Sequence, residues 1–244
     1  AGGAGAAEAQ EASEAAGLGR GGAAAASPAA PPSPAPVRVR TYNFTATLPG
    51  GLHEEELPRA ESPAQRVDRQ RGDLPDSFAG LPTGIVWGAV SPGPQVGGQE
   101  NGLVAVYAAD KGFPAVRVVF AYCRAASLKT SFFQVNDIAQ LGGLDDIGRL
   151  LLPPKTTLLN SETRRVEPES RDTGTIAGVV QPPPRNYYQY QFLVPGEGGL
   201  ERHVTLSAAA AKGQIFVMQA SVPATEWASA QAAVDASVAT FSLI

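Results

Sequence analysis

No other part of the chain restricts the fold as much as residues 185–244, where period-two segments give way to a helical period. Tyr187, Tyr188, Tyr190, Phe192 and Val194 crowd into one short run, and such side chains suit a pleated, half-buried surface. Residues 195–199 are rich in Pro and Gly and break the run. In the next segment, residues 202–210, Val204, Leu206 and Ala208 alternate with His203, Thr205 and Ser207, the pattern of a strand with one buried face. In residues 214–221, Phe216, Met218 and Ala220 share one face, and Ile215, Val217 and Gln219 share the other. Lys212-Gly213 between the two runs predicts a tight hairpin, with glycine supplying positive φ. Trp227, Ala230, Val234, Val238 and Phe241 then recur at spacings of three and four, so they line one face of a helix. Thr225 is the expected N-cap, and Glu226 suits the positive end of the helix dipole. The segment thus predicts three antiparallel strands closed by an amphipathic helix.

The rest of the chain supplies further strands and a leading arm. Residues 1–36 hold 15 Ala, 7 Gly and 5 Pro, too little large apolar surface to offset ordering entropy, and predict a flexible arm ending in a stiff Pro-rich spacer. Residues 42–49 alternate and predict the opening strand of a folded unit that begins near Val37 and runs to residue 244. Residues 53–73 carry six acids and four arginines and predict a solvated loop with a turn of helix. Strands are expected at 83–90, 103–109, 115–123 and 175–180, and an amphipathic run at 127–135. Asn136-Asp137 offers a cap. Leu144, Ile147 and Leu151 mark a short helix that Pro153-Pro154 must end.

Composition excludes several function classes. Net charge is −4 with 19 basic and 23 acidic residues, which argues against binding a polyanion. A lone Cys123 excludes an internal disulfide and a cysteine metal cluster, and its apolar strand setting predicts an inert buried thiol. No apolar run approaches the ~20 residues that span a bilayer, so the chain is expected to be soluble. His53-Glu54-Glu55-Glu56-Leu57 lacks the second imidazole of a zinc-protease helix. The glycines of residues 17–22 fit a dinucleotide pattern only in spelling, with no strand before them and no apolar helix after. Asn43-Phe44-Thr45 is a glycosylation tripeptide of a kind common by chance. Neither histidine has a nucleophile motif. No enzyme is expected.

The order and spacing of features in residues 185–244 resemble the PsbP domain, the family of extrinsic lumenal proteins of oxygenic photosynthesis. The features are Tyr187-Tyr188, the Gly-rich acidic loop Glu197-Gly198-Gly199, His203, Lys212-Gly213, the helix-entry Trp227 and the terminal Phe241-Ser242. The resemblance extends more weakly to about Val116 and includes Asp137-Ile138 before the short helix. It does not cover residues 57–115, which stand as an extra segment. It implies an α+β fold, an α-β-α sandwich whose central, mainly antiparallel sheet carries helices on both faces. It also implies a non-catalytic protein of the chloroplast thylakoid lumen, docked without a transmembrane helix on a photosystem core and its lumenal subunits, where relatives stabilise the manganese cluster and retain calcium and chloride. Photosystem I as partner, or a same-fold protein-binding module outside photosynthesis, are the alternatives. A catalytic rival would use His203 with Glu201 or Glu226. No cofactor is implied beyond a weak divalent-metal site at His203, with Glu226 the nearest carboxylate where relatives place an acid and this chain has Ala224.

Overall fold

The computed structural model describes residues 35–41, 43–55, 101–109, 115–128, 134–167, 171–172, 179–180, 183–195 and 200–244. Its strands are β1 Val37–Arg40, β2 Phe44–Leu48, β3 Leu52–Glu54, β4 Asn101–Ala109, β5 Arg117–Arg124, β6 Thr157–Val166, β7 Arg171–Asp172, β8 Val179–Val180, β9 Arg185–Pro195, β10 Glu201–Ala211, β11 Gln214–Pro223 and β12 Ser242–Leu243. The helices are α1 Leu144–Leu151 and α2 Trp227–Thr240, with short turns at Ala125–Leu128, Ile138–Gln140 and Ala224–Glu226. The strands expected at 83–90 and most of 175–180, the arm and most of the acidic loop lie outside the described residues.

One sheet dominates. Its order is β3-β4-β5-β11-β10-β9-β6, and every pairing is antiparallel. The central strands β5, β10 and β11 are buried on both faces. On one face α2 and the small sheet β1-β2-β12 enclose Phe44, Phe120 and Phe241, with Phe44 stacked on Phe120 at 4.8 Å. On the other, Ile138, Ile147 and Leu151 pack over Cys123, Tyr190, Leu206 and Ile215. Sheet and helices on both sides agree with the α+β expectation.

The β10–β11 hairpin forms as expected, with Ala211 opposite Gln214. Both turn residues take positive φ, Lys212 at 52° and Gly213 at 76°, the two-residue geometry that matches strand twist. A lysine there is unfavourable for its Cβ, but the tip is tied down. Lys212 N–H donates to Asn136 Oδ1 at 3.1 Å, Gly213 N–H to Val135 O at 2.7 Å, and Ala125 N–H to Gly213 O at 2.9 Å. The neighbouring Asp137 caps the Ile138–Gln140 turn in a capping box and accepts from Asn186 N–H at 2.9 Å, so one carboxylate joins the turn to β9.

Four expectations change. The His203, Thr205 and Ser207 face of β10 is buried rather than solvated, because its small side chains let α2 seat directly on the sheet. Thr225 does not cap α2: the turn at Ala224–Glu226 displaces the helix start to Trp227, and the cap position falls on Glu226 with no side-chain cap bond. His53 and Glu54 belong to β3, paired with Ala108 and Tyr107, rather than to a loop. A ten-residue edge strand, β6, stands where no strand is expected, and β4 lies within the segment the resemblance does not cover.

The helix α1 approaches β9 through Gly148. A Cβ at that position would lie 3.0 Å from Tyr190 Cε1, and Tyr190 cannot withdraw because its hydroxyl donates to Leu144 O at 2.7 Å. Gly→Ala inside a helix ordinarily stabilises by roughly 0.4–1 kcal/mol. Gly148→Ala is expected to do the reverse, costing about 1–3 kcal/mol through overpacking. Urea unfolding at neutral pH measures this, and a gain in stability would show that α1 does not rest on the tyrosine ring.

Candidate functional site

The face of the sheet beneath α2 concentrates the polar chemistry. At its N-terminal end, His203 projects from β10 between Val222 of β11 and Leu193 of β9. Trp227, the first residue of α2, stacks on it with ring centroids 3.5 Å apart and planes within 6°. The imidazole is 7% exposed, and Nε2 has no hydrogen-bond partner among the described residues. Burial pushes its pKa below the ordinary value for histidine.

Glu226 precedes the tryptophan, yet its Oε2 accepts from Ala115 N–H at 2.6 Å. The two residues singled out for a metal therefore flank Trp227 but have different partners: an indole face for His203, a main-chain amide for Glu226. Among the described residues, no group of three or more His, Cys, Asp or Glu side chains is placed to hold a metal ion. Glu201, the other carboxylate considered with His203, is exposed on β10. Cys123 is fully buried, and burial drives its thiol up to about 12, so the inert reading of this residue agrees with its setting.

At the other end of α2, β6, β9 and β10 form a cleft of about 250 Å³ against the helix. Glu162, Gln191, Thr205 and Asp235 line it, together with Val238 and Ala239 of the last helical turns. Gln191 Nε2 donates to Asp235 Oδ1 at 3.1 Å. In the amide orientation that satisfies both neighbours, Gln189 donates to Glu162 Oε1 at 2.7 Å and accepts from Arg164 Nε at 3.2 Å. Arg164 turns its remaining donors to the helix end, NH1 to Ala239 O at 2.8 Å and NH2 to Phe241 O at 2.7 Å. Burial raises Asp235 above the usual aspartate range, hydrogen bonds from Gln231 and Gln191 pull it back down, and the nearby charge of Glu162 adds a smaller push upward. Sequence reasoning missed this cleft. Its one visible signal was Asp235, a carboxylate set beside the apolar stripe of Val234 and Val238.

The structure is similar to the solution structure of cyanobacterial PsbP (CyanoP) from Synechocystis sp. PCC 6803, at 12% identity and a TM-score of 0.45, over 91% of this chain and 99% of that one. No protein-family model and no characterised protein matches the chain in sequence. Among the described residues, no helix is long and apolar enough to cross a membrane.

The His203–Trp227 stack sets a pH dependence whose sign follows from burial. A histidine depressed in the folded state binds its proton more readily when unfolded, so its stabilising contribution is complete above about pH 6.5 and is lost as pH falls through the folded value. Trp227→Ala should remove the indole cover, bring the His203 midpoint toward the ordinary value and flatten that dependence. It should also cost stability near the lower end of the ~3–5 kcal/mol of Trp truncations, because Trp227 is only partly buried. Imidazole titration by NMR and urea unfolding at pH 7 and 5 measure both effects. An unchanged midpoint would show that the stack does not control His203.

Proposed function

We propose that the chain is a non-catalytic protein of the thylakoid lumen that docks on a photosystem, as an extrinsic subunit of the photosystem II oxygen-evolving complex or as a PsbP-like assembly and stabilising factor. One observation carries this reading: residues bearing the PsbP resemblance stand together in a single packed unit. Tyr187 packs edge-on against Phe241 at 6.0 Å and accepts from Leu243 N–H at 2.8 Å. Trp227 covers His203, and Lys212-Gly213 closes the hairpin between them. A docking role places its demands on surface and arm rather than on a reacting centre. Divalent metal at His203 and Glu226 is at most weak, since one carboxylate already serves a main-chain amide.

Residues 1–36 supply the docking arm in this reading. A Pro-rich spacer limits the entropy lost when a chain is immobilised on a partner. Three glutamates and one arginine leave the arm nearly neutral, so its contacts are of shape and backbone, while the more highly charged residues beyond it give the salt-sensitive part of docking. The test is rebinding to salt-washed thylakoid membranes, followed by gentle detergent extraction and separation of the complexes. The full chain should co-migrate with photosystem II. Deleting residues 1–36 should leave the melting temperature within about 1–2 °C, less than a 1 kcal/mol change would produce, yet weaken rebinding. Co-migration with photosystem I instead would move the partner, and migration with neither would overturn the proposal.

A further inference from the structure

We propose that the cleft between the β6–β9–β10 edge and the C-terminal half of α2 binds a primary alkylammonium group. Three observations about it converge. The first is charge. The lining sets two carboxylates, Glu162 and Asp235, against one guanidinium, Arg164, whose fork donates to Ala239 O and Phe241 O and whose Nε donates to Gln189. The negative end of the α2 dipole adds to the same field.

The second observation is a buried hydroxyl without a partner. Thr205, 3% exposed, lines the cleft, and its Oγ1 has no hydrogen-bond partner among the described residues. Its oxygen lone pairs are free to accept from the N–H groups of a ligand. An ammonium carries three N–H donors and no acceptor, and Glu162, Asp235 and Thr205 present three oxygen-bearing side chains.

The third is the count and kind of ligands. Calcium takes six to eight oxygens, whereas Gln189 and Gln191 turn their N–H groups toward the two carboxylates and so offer the cleft few further oxygens. A singly charged head group needs no such shell. Val238 and Ala239 give a short apolar wall for the carbon stem that such a head group trails. The cleft volume of about 250 Å³ admits a stem as well as the head. A free alkylamine and a lysine side chain of a partner share this chemistry.

The experiment is a side-chain carboxyl NMR titration of the full chain near pH 6 with n-butylammonium chloride, and in a second arm with Nα-acetyl-lysine methylamide. The expected result is a saturable shift at Asp235 and Thr205, a lowered Asp235 midpoint, and at least tenfold weaker binding in Asp235→Asn and in Glu162→Gln. Asp235→Asn retains an acceptor for Gln191, and because the Asp235 midpoint is raised on folding, the variant should be no less stable than the parent at neutral pH. Saturation in both arms assigns a lysine side chain, and saturation by the free amine alone assigns a small metabolite. A linear response, an unmoved Asp235 midpoint, affinity preserved in both variants, or calcium saturating the same signals while n-butylammonium does not would overturn the proposal.

Discussion

Arg164 reaches from the outermost strand to the last carbonyls of α2, and the seat of that helix depends on it. The final carbonyls of any helix lack intrahelical donors. Here Arg164 supplies two, at 2.8 and 2.7 Å, in the fixed fork geometry that a lysine cannot reproduce. Its guanidinium also lies 4.7 Å from the centroid of the Tyr187 ring, which is paired with it across the β6–β9 ladder. Tyr187 in turn meets the edge of Phe241 and receives Leu243 N–H, so one cross-strand pair fixes the helix end, the terminal aromatic and β12 together. Thr240 completes the closure from the other side, accepting Thr47 N–H at 2.7 Å.

This arrangement explains why both faces of the sheet are covered although β10 carries polar residues on one of them. Small side chains at Ser207, Ala209 and Ala211 allow close approach, and Ala230, Val234 and Val238 fill the space above the sheet. The opposite face is held differently. Tyr188 and Tyr190 send their hydroxyls to Gly142 O and Leu144 O, at 2.9 and 2.7 Å, so the segment leading into α1 is suspended from β9 by two phenols. Successive residues of one strand, Tyr187 and Tyr188, therefore anchor the two layers on opposite sides. That is the alternation of a strand put to structural use.

The parts legible in the sequence are those with a strong apolar period: β9, the β10–β11 hairpin, α1 with Ile147 and Leu151, and the Trp227-to-Phe241 stripe of α2. β6 was illegible because an edge strand is held by main-chain bonds to β9 while most of its own side chains face solvent. Leu158 and Leu159 are about half exposed, and no period-two apolar set forms. The second buried face of β10 was misread for the opposite reason: serine, threonine and histidine look solvated until a helix is known to lie over them. Thr225 fits the cap rule, but the turn after Pro223 consumes the residues the rule assigns. The cleft residues come from four elements distant in sequence, so no spacing joins Glu162, Gln191, Thr205 and Asp235. Only the fold does.

The same arginine that seats α2 also decides what its C-terminal cleft can attract. A guanidinium free beside Glu162 and Asp235 would neutralise one of them and favour anions or neutral groups. With NH1, NH2 and Nε turned to Ala239 O, Phe241 O and Gln189, Arg164 instead ties the helix end to β6, and its charge acts on Glu162 only through space, which leaves two carboxylates against one guanidinium in the cleft. Asp235 is held there at a cost, since burial, with a smaller push from the charge of Glu162, raises it above the usual aspartate range. Stability alone would place an amide at position 235, since Gln191 and Gln231 need only an acceptor and Val234 and Val238 already supply the packing. A charge held where packing does not require it is the pattern of a binding surface, in which folding gives up some free energy that a cation can restore.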